Sequence, residues 1–226
     1  MRRSGGRVVG RKRLALFLLC LASFMAVVED TIVTIALPSM RRDLGFSGPD
    51  AQWIFNGYML AFGGFLIIFG RAADVWGRRR IFMAGLGLFG ISSLLGGLAT
   101  EPWVLISARV LQGVGAAAFV PASLSLLTAI FAEGEKRNRA IGVYGAMAAL
   151  GFVVGMVGGG MITELLSWRW VLFVNVPVAL AAVLASPAAI AESRDEGAPR
   201  ALDVPGATTA TLGLAPLIYV VSEYTG

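Results

Sequence analysis

Seven runs almost free of charge, at 14–37, 51–69, 81–99, 103–131, 140–163, 170–190 and 204–221, are separated by short polar connections. A hydrocarbon crossing by a helix needs about 20 such residues. The runs are continuously apolar, whereas strands of a membrane barrel alternate, so each predicts a helix. The pattern therefore predicts an all-α polytopic membrane protein with seven spans, six forming one bundle (14–190) and a seventh following a polar linker (191–203). The basic segment 1–13 precedes the first run. No small-residue cleavage site follows that run, and Glu29 and Asp30 interrupt it, so it reads as a retained span rather than a signal peptide.

Composition agrees: 57% of the 226 residues are hydrophobic and 15% charged, against about 45–50% and 25% in soluble domains. The absence of His excludes Ser-His-Asp and His-metal chemistry, and the lone Cys20 excludes an intrachain disulfide. No catalytic constellation survives, so an enzyme is not expected. Arginine outnumbers lysine 17 to 2, as in GC-rich bacterial genomes.

The net charge of +5 is read as topology, not as affinity for nucleic acid. The N-terminal tail and the second, fourth and sixth connections hold 15 Lys and Arg. The opposite connections hold Arg41, Arg42 and Arg169. This bias predicts a cytoplasmic N-terminus and, with seven spans, an outer end at Gly226.

Charges inside spans cost at least about 2.5–3.5 kcal/mol. Asp30 lies eight residues before Pro38 and Arg109 seven after Pro102, depths of roughly 12 and 10 Å from the same face at 1.5 Å per residue. A contact between them, direct or through water, is geometrically possible. It reads either as a proton or cation site, with burial and Arg109 acting oppositely on the Asp30 charge, or as an ion pair that fixes packing. Thr34, one turn on, shares the Asp30 face, while the adjacent Glu29 is expected nearer the outer water. Gln52 and Asn56 could face a cavity or bond between helices. Trp53, Trp103, Trp168 and Trp170 read as interface anchors.

Four segments together resemble the major facilitator superfamily, and within it the 14-spanner drug:proton antiporters of the EmrB/QacA-like group. EDTIVTIALP resembles LDxTIVNVALP, with Asp30 at the acidic position, Glu29 at an apolar one and Thr34 in place of Asn. GRAADVWGRRR resembles GxLADRxGRRR through Gly70, Asp74, Gly77, Arg78 and Arg79. RVLQGVGAAAFVP resembles RxxQGxGAA through Arg109, Gln112, Gly113 and Gly115. GVYGAMAALGFVVGMVGGG aligns Gly142, Gly151, Gly155, Gly159 and Gly160 with the antiporter glycines, with Met156 at the usual proline. WRWVLFVNVP and LDVPG, before the sixth and seventh spans, are similar to the group's segments there.

The resemblance implies a transporter half of two inverted three-helix repeats, followed by the first helix of an extra pair, the chain stopping before the second half. It implies proton or substrate coupling at Asp30, Arg109, Thr34 and Gln112, and a conformational latch at Gly70, Asp74, Gly77, Arg78 and Arg79. It also implies close helix packing at the five glycines, the latch and the glycine ridge both working against helices of the other half. No cofactor is implied, the proton gradient being the energy source. The implied partners are a small amphipathic or cationic substrate, the lipid bilayer and a second half-transporter. The implied location is the cell membrane, multi-pass, at the bacterial inner membrane. Other readings left open are a non-transporting fragment, a half-size subunit that dimerises, an uptake carrier, and a structural membrane protein.

Overall fold

The computed structural model describes residues 2–47 and 50–194, together with Thr209 and Gly213, and side chains from Val9 onward. Its elements are α1 (Arg2–Leu44), a short 3-10 turn (Asp50–Gln52), α2 (Trp53–Trp76), α3 (Arg78–Gly97), α4 (Pro102–Ile130), α5 (Glu135–Leu165), α6 (Arg169–Phe173) and α7 (Asn175–Ala189). Among the described residues six helical segments are long and apolar enough to cross a membrane, α6 and α7 together making the sixth. The expected seventh span, 204–221, lies outside the described residues apart from Thr209 and Gly213.

Helix ends follow local chemistry. Gly45 (φ +67°) ends α1, Gly77 (φ +108°) separates α2 from α3, and Pro102 opens α4, where a missing N–H costs nothing. α1 is much longer than the uncharged run 14–37, because Arg and Lys are good helix formers and polar residues end a span without ending a helix. The sixth span is divided where one helix was expected. Val174 keeps helical angles (φ −60°, ψ −27°), yet Pro177 has no N–H to offer the Phe173 carbonyl, and the hydrogen-bond ladder lapses there.

α4 lies against α2 and α3, while α1 lies against α5, α7 and α4. Two of the extensive contacts are related by an exchange of the first three spans with the last three: α1 packs along α5 as α4 packs along α2, whereas the largest, α3 on α4, has a smaller counterpart in α6 and α7 on α1. Successive spans cross in opposite senses, so the exchange is that of an inverted repeat. Two apolar clusters fill the bundle. One, toward the basic end, contains Leu19, Phe82, Phe89, Phe119 and Leu126, with Phe89 and Phe119 edge to face at 5.4 Å. The other, toward the opposite end, contains Ile32, Ile54, Leu105, Trp168 and Leu172.

Candidate functional site

A polar layer lies at the junction of these two clusters. Along the chain it falls between Phe89 of α3 and Ala99 just past that helix, between Leu105 and Ala116 of α4, and between Leu172 of α6 and Ala179 of α7. Its members Glu29, Ser93, Arg109 and Gln112 have no exposed surface, and Asn175 has 2%.

Arg109 donates through Nη1 to Glu29 Oε1 at 2.5 Å and to Gln112 Oε1 at 2.9 Å, and through Nε to the Ile54 carbonyl at 3.1 Å. Its guanidinium lies 4.5 Å from the centre of the Tyr58 ring, a further favourable contact for a cation. Gln112 Nε2 donates to Glu29 Oε1 at 3.0 Å and to Ser93 Oγ at 2.7 Å. Asn175 Nδ2 donates to Glu29 Oε2 at 2.5 Å. One carboxylate thus receives three donors from two helices, and the network ties α1, α2, α3, α4 and α7. Such charges stay buried only when paired and hydrogen-bonded in this way.

The ion pair is therefore made by Glu29, where Asp30 was expected. Adjacent helical residues point about 100° apart, and α1 is rotated so that Glu29 faces α4, fully buried rather than near outer water. Asp30 is half-buried, and its Oδ1 is buried without a hydrogen-bond partner, as is Arg109 Nη2. Gln112 joins the layer. Thr34 does not: it is exposed, and its hydroxyl donates to the Asp30 backbone carbonyl at 2.8 Å. Gln52 is exposed and Asn56 half-buried, outside the layer. Sequence reasoning missed Glu29, Ser93 and Asn175. Glu29 did carry a signal, an acid between Val28 and Asp30 deep in an apolar run.

The α2–α3 turn is built as a dock. Gly77 takes φ +108°, and a Cβ there would come within 2.6 Å of Glu192 Oε1. The Arg79 amide donates to Glu192 Oε1 at 3.0 Å, the Arg79 side chain to the Ile190 carbonyl at 3.1 Å, and the Arg78 amide to the Ser193 carbonyl at 2.9 Å. Arg79 and Arg80 lie 3.7 and 3.8 Å from Glu192 Oε2, and Arg78 pairs with Asp74 at 2.9 Å. Apart from the Arg78–Asp74 pair, these contacts are with the segment after α7 of the same chain, mainly through Glu192, which sequence reasoning did not single out. A Cβ at Gly70 would meet open space. Glu192→Ala is expected to speed amide hydrogen exchange at Arg79 by about tenfold, the low end for losing a hydrogen bond to a charged group, since Glu192 is partly exposed. Unchanged exchange would show that the turn holds its shape without Glu192.

The glycine ridge also packs within the chain. Cβ atoms at Gly151, Gly155 and Gly159 would lie 2.9 Å from the Phe24 carbonyl, 2.8 Å from Thr31 Cβ and 3.0 Å from Ile32 Cγ1, so these glycines seat α5 on α1. Gly142 and Gly160 face open space instead. At the opposite end from the basic loops, Asp43 accepts from Trp168 Nε1 at 2.9 Å and Arg169 Nη1 at 2.6 Å, and Arg169 Nη2 reaches the Ala99 carbonyl at 3.0 Å. Trp168 is consequently 4% exposed and belongs to the core rather than to the interface, whereas Trp103 (68%) and Trp170 (52%) remain outside.

The family model described as Major Facilitator Superfamily matches residues 19–220. The chain is 46% identical over 213 residues to the puromycin resistance protein pur8 of Streptomyces alboniger, covering 94% of this chain and 42% of that protein. It is 46% identical over 215 residues to the cephamycin export protein CmcT of Amycolatopsis lactamdurans, covering 92% and 43%. A tetracenomycin C resistance and export protein of Streptomyces glaucescens is 36% identical over 197 residues, covering 87% and 36%. The chain thus spans less than half the length of these relatives.

Proposed function

The chain belongs to the Major Facilitator Superfamily, and from that premise we propose that it supplies the proton-handling half of a drug exporter of the 14-span antiporter group. The observation that carries this reading is a charge mismatch: among the described residues two adjacent carboxylates, the buried Glu29 and the half-buried Asp30, share the bundle interior with one guanidinium, Arg109. Glu29 is occupied by Arg109, Gln112 and Asn175. Asp30 keeps an unpartnered oxygen. An uncompensated carboxylate in a poorly hydrated interior is costly, so it binds a proton or a cationic group. The two satisfy the same charge and exclude each other, which is the elementary requirement of proton–cargo exchange. Arg109, held in place by Ile54 and Glu29, sets the field in which Asp30 makes that choice.

One charge moving down about 100 mV supplies about 2.3 kcal/mol, enough for roughly a fortyfold gradient at about 1.4 kcal/mol per tenfold. The excess of basic residues at one end supports a cytoplasmic N-terminus in the cell membrane. The exchange-related packing supports assignment of 14–190 to one six-helix half that rocks against a second, with 1–13 a basic tail, 191–203 a cytoplasmic linker and 204–226 the first helix of an inter-half pair. The names of the relatives, for puromycin, cephamycin and tetracenomycin C, support small amphipathic compounds as cargo.

The test is drug susceptibility of an efflux-deficient bacterial host carrying the chain together with the complementary half of a close relative. Asp30→Asn is expected to abolish protection, with equal protein in the membrane. Protection undiminished by Asp30→Asn would refute the assignment of Asp30. Protection by the 226-residue chain alone would refute its need for a second half.

A further inference from the structure

We propose that α3 splints the broken sixth span, and that Arg169 and Asp43, at its outer end, are positioning residues for the polar layer. The span needs such a support. Its ladder lapses at Val174, because Pro177 offers no N–H to the Phe173 carbonyl, and an interrupted helix bends there unless a neighbour holds it straight. The first residue past the break, Asn175, is the one that holds Glu29 Oε2, at 2.5 Å. A bend at Val174 would draw that donor off the carboxylate.

α3 is tied to both pieces of the span. At the outer end Arg169, the first residue of α6, donates to the carbonyl of Ala99, just past the end of α3, at 3.0 Å. At the basic end the arrangement returns with the helices exchanged: Arg79, the second residue of α3, donates to the carbonyl of Ile190, just past the end of α7, at 3.1 Å. Each arginine has an acid beside it, Asp43 at 2.6 Å and Glu192 at 3.7 Å. An arginine from the first turn of one repeat's third span thus caps the third span of the other, the exchange that an inverted repeat requires. Between the two ties α3 is notched to receive the span. A Cβ at Gly96 would lie 3.1 Å from Leu172 Cδ1, one at Gly97 would enter the Phe173 ring, and one at Gly90 would lie 2.9 Å from Ala179 Cβ. Leu172 and Phe173 belong to the piece before the break, Ala179 to the piece after it.

The outer tie governs the weaker piece. α6 is five residues long, and across the break no continuous ladder fixes its direction. Arg169 holds it through Asp43, the Ala99 carbonyl and the face of the Trp168 ring, 4.4 Å away, while Trp168 Nε1 donates to Asp43 at 2.9 Å. Among the described residues none of these contacts touches the polar layer. Asp43 and Arg169 act on Glu29 through α6, the break and Asn175. What the layer does with a proton rests on the reading of Asp30 above; the splint does not.

The test is amide hydrogen exchange of the full 226-residue chain in lipid nanodiscs. Arg169→Gln is expected to speed exchange at Val174 and Asn175 by at least about tenfold, as for one lost hydrogen bond to a charged group. The Arg79 amide at the far end and the Phe119 amide in the core are expected to keep their native rates. The side-chain amide protons of Asn175, shifted downfield in magnetic resonance by their short bond to a carboxylate, are expected to move upfield in the same variant. Ala99→Cys/Arg169→Cys in a Cys20→Ala background, joined by a short bismaleimide, is expected to restore slow exchange without any charge. Arg41→Gln/Arg42→Gln, which removes two outer charges that take no part in the tie, is expected to change nothing at the break. Should Arg169→Gln fail to fold, Arg169→Lys, which keeps the pair with Asp43 and gives up the Ala99 carbonyl, is expected to show a smaller acceleration at the same amides. The proposal is overturned if the break or the Asn175 side chain keeps its native behaviour in the folded Arg169 variants, or if the cross-link does not slow the break. Equal acceleration at Phe119, or in the Arg41/Arg42 control, overturns it as well, since the loss would then be a general loosening. Asp30→Asn is expected to leave every one of these rates unchanged, so a failure of the proton reading shows separately, in drug susceptibility.

Discussion

Replacing Glu29 with alanine is expected to destabilise the bundle by about 3–5 kcal/mol, the range for removing one partner of a buried ion pair. The loss has two parts. Arg109 would keep its bonds to Gln112 and the Ile54 carbonyl but remain charged in a site with no exposed surface. Gln112 and Asn175 would each lose an acceptor, leaving buried N–H donors at about 1–3 kcal/mol apiece before any relaxation. Glu29→Gln, which keeps the shape and one carbonyl acceptor, is expected to cost clearly less. Asp30→Asn is expected to cost less than about 1 kcal/mol, since it removes a half-buried carboxylate that makes no ion pair and has an unpartnered oxygen, while the shape of the side chain is kept. Denaturant titration of the chain in mixed micelles, followed by tryptophan fluorescence, measures all three. Equal losses for Glu29→Ala and Asp30→Asn would contradict the assignment of Glu29 as the partner of Arg109.

The second large effect is expected at Gly113. A Cβ added there would lie 2.3 Å from the Tyr58 carbonyl oxygen, 2.9 Å from Ala61 Cβ and 3.1 Å from the Phe62 amide nitrogen. Two of these atoms are backbone, so no side chain can swing aside and α2 must move away from α4. Overpacking of this kind costs typically about 1–3 kcal/mol, and Gly113→Ala is expected at the upper end. The displacement also reaches the polar layer, because Ile54, one turn before Tyr58, holds Arg109 Nε through its carbonyl. Gly142→Ala, which meets open space, is the matched control and is expected to cost nothing. The same titration decides, and indistinguishable midpoints for the two variants would show that the α2–α4 contact is looser than the structure has it.

How much was legible in the sequence divides along a physical line. The positions of the six described spans were legible because a helix crossing lipid must satisfy its backbone internally and present apolar side chains over its whole length. The ridge of Gly151, Gly155 and Gly159 was legible as an interface because residues four apart share a face. Its partner, α1, was not, because nothing local names the helix across the interface. The polar layer shows the same division. Arg109 and Gln112 stand three apart on one helix and were recognised together, whereas Glu29, Ser93 and Asn175 come from other helices, with 146 residues between Glu29 and Asn175. Between two adjacent acids, the choice of Arg109 partner depends on the rotation of α1 about its axis. That rotation is fixed by packing along α5, which pattern reading does not reach. Glu192 was missed for the same reason, lying 113 residues from the amide it holds.

The span of sequence inside the Glu29–Arg109 pair also has a consequence in time. The two residues are 80 positions apart. At a synthesis rate of about 5–20 residues per second, the carboxylate leaves the ribosome roughly 4–16 seconds before its cation. During that interval α1 carries a membrane-depth acid whose stabilising partner does not yet exist. The pair is consequently a product of assembly rather than of insertion, and α1 reaches its final environment only after α4 has arrived beside it. Replacing Arg109 would therefore act first during biogenesis, as a lengthened residence of α1 at the insertion machinery, before any folded transporter half exists to be measured.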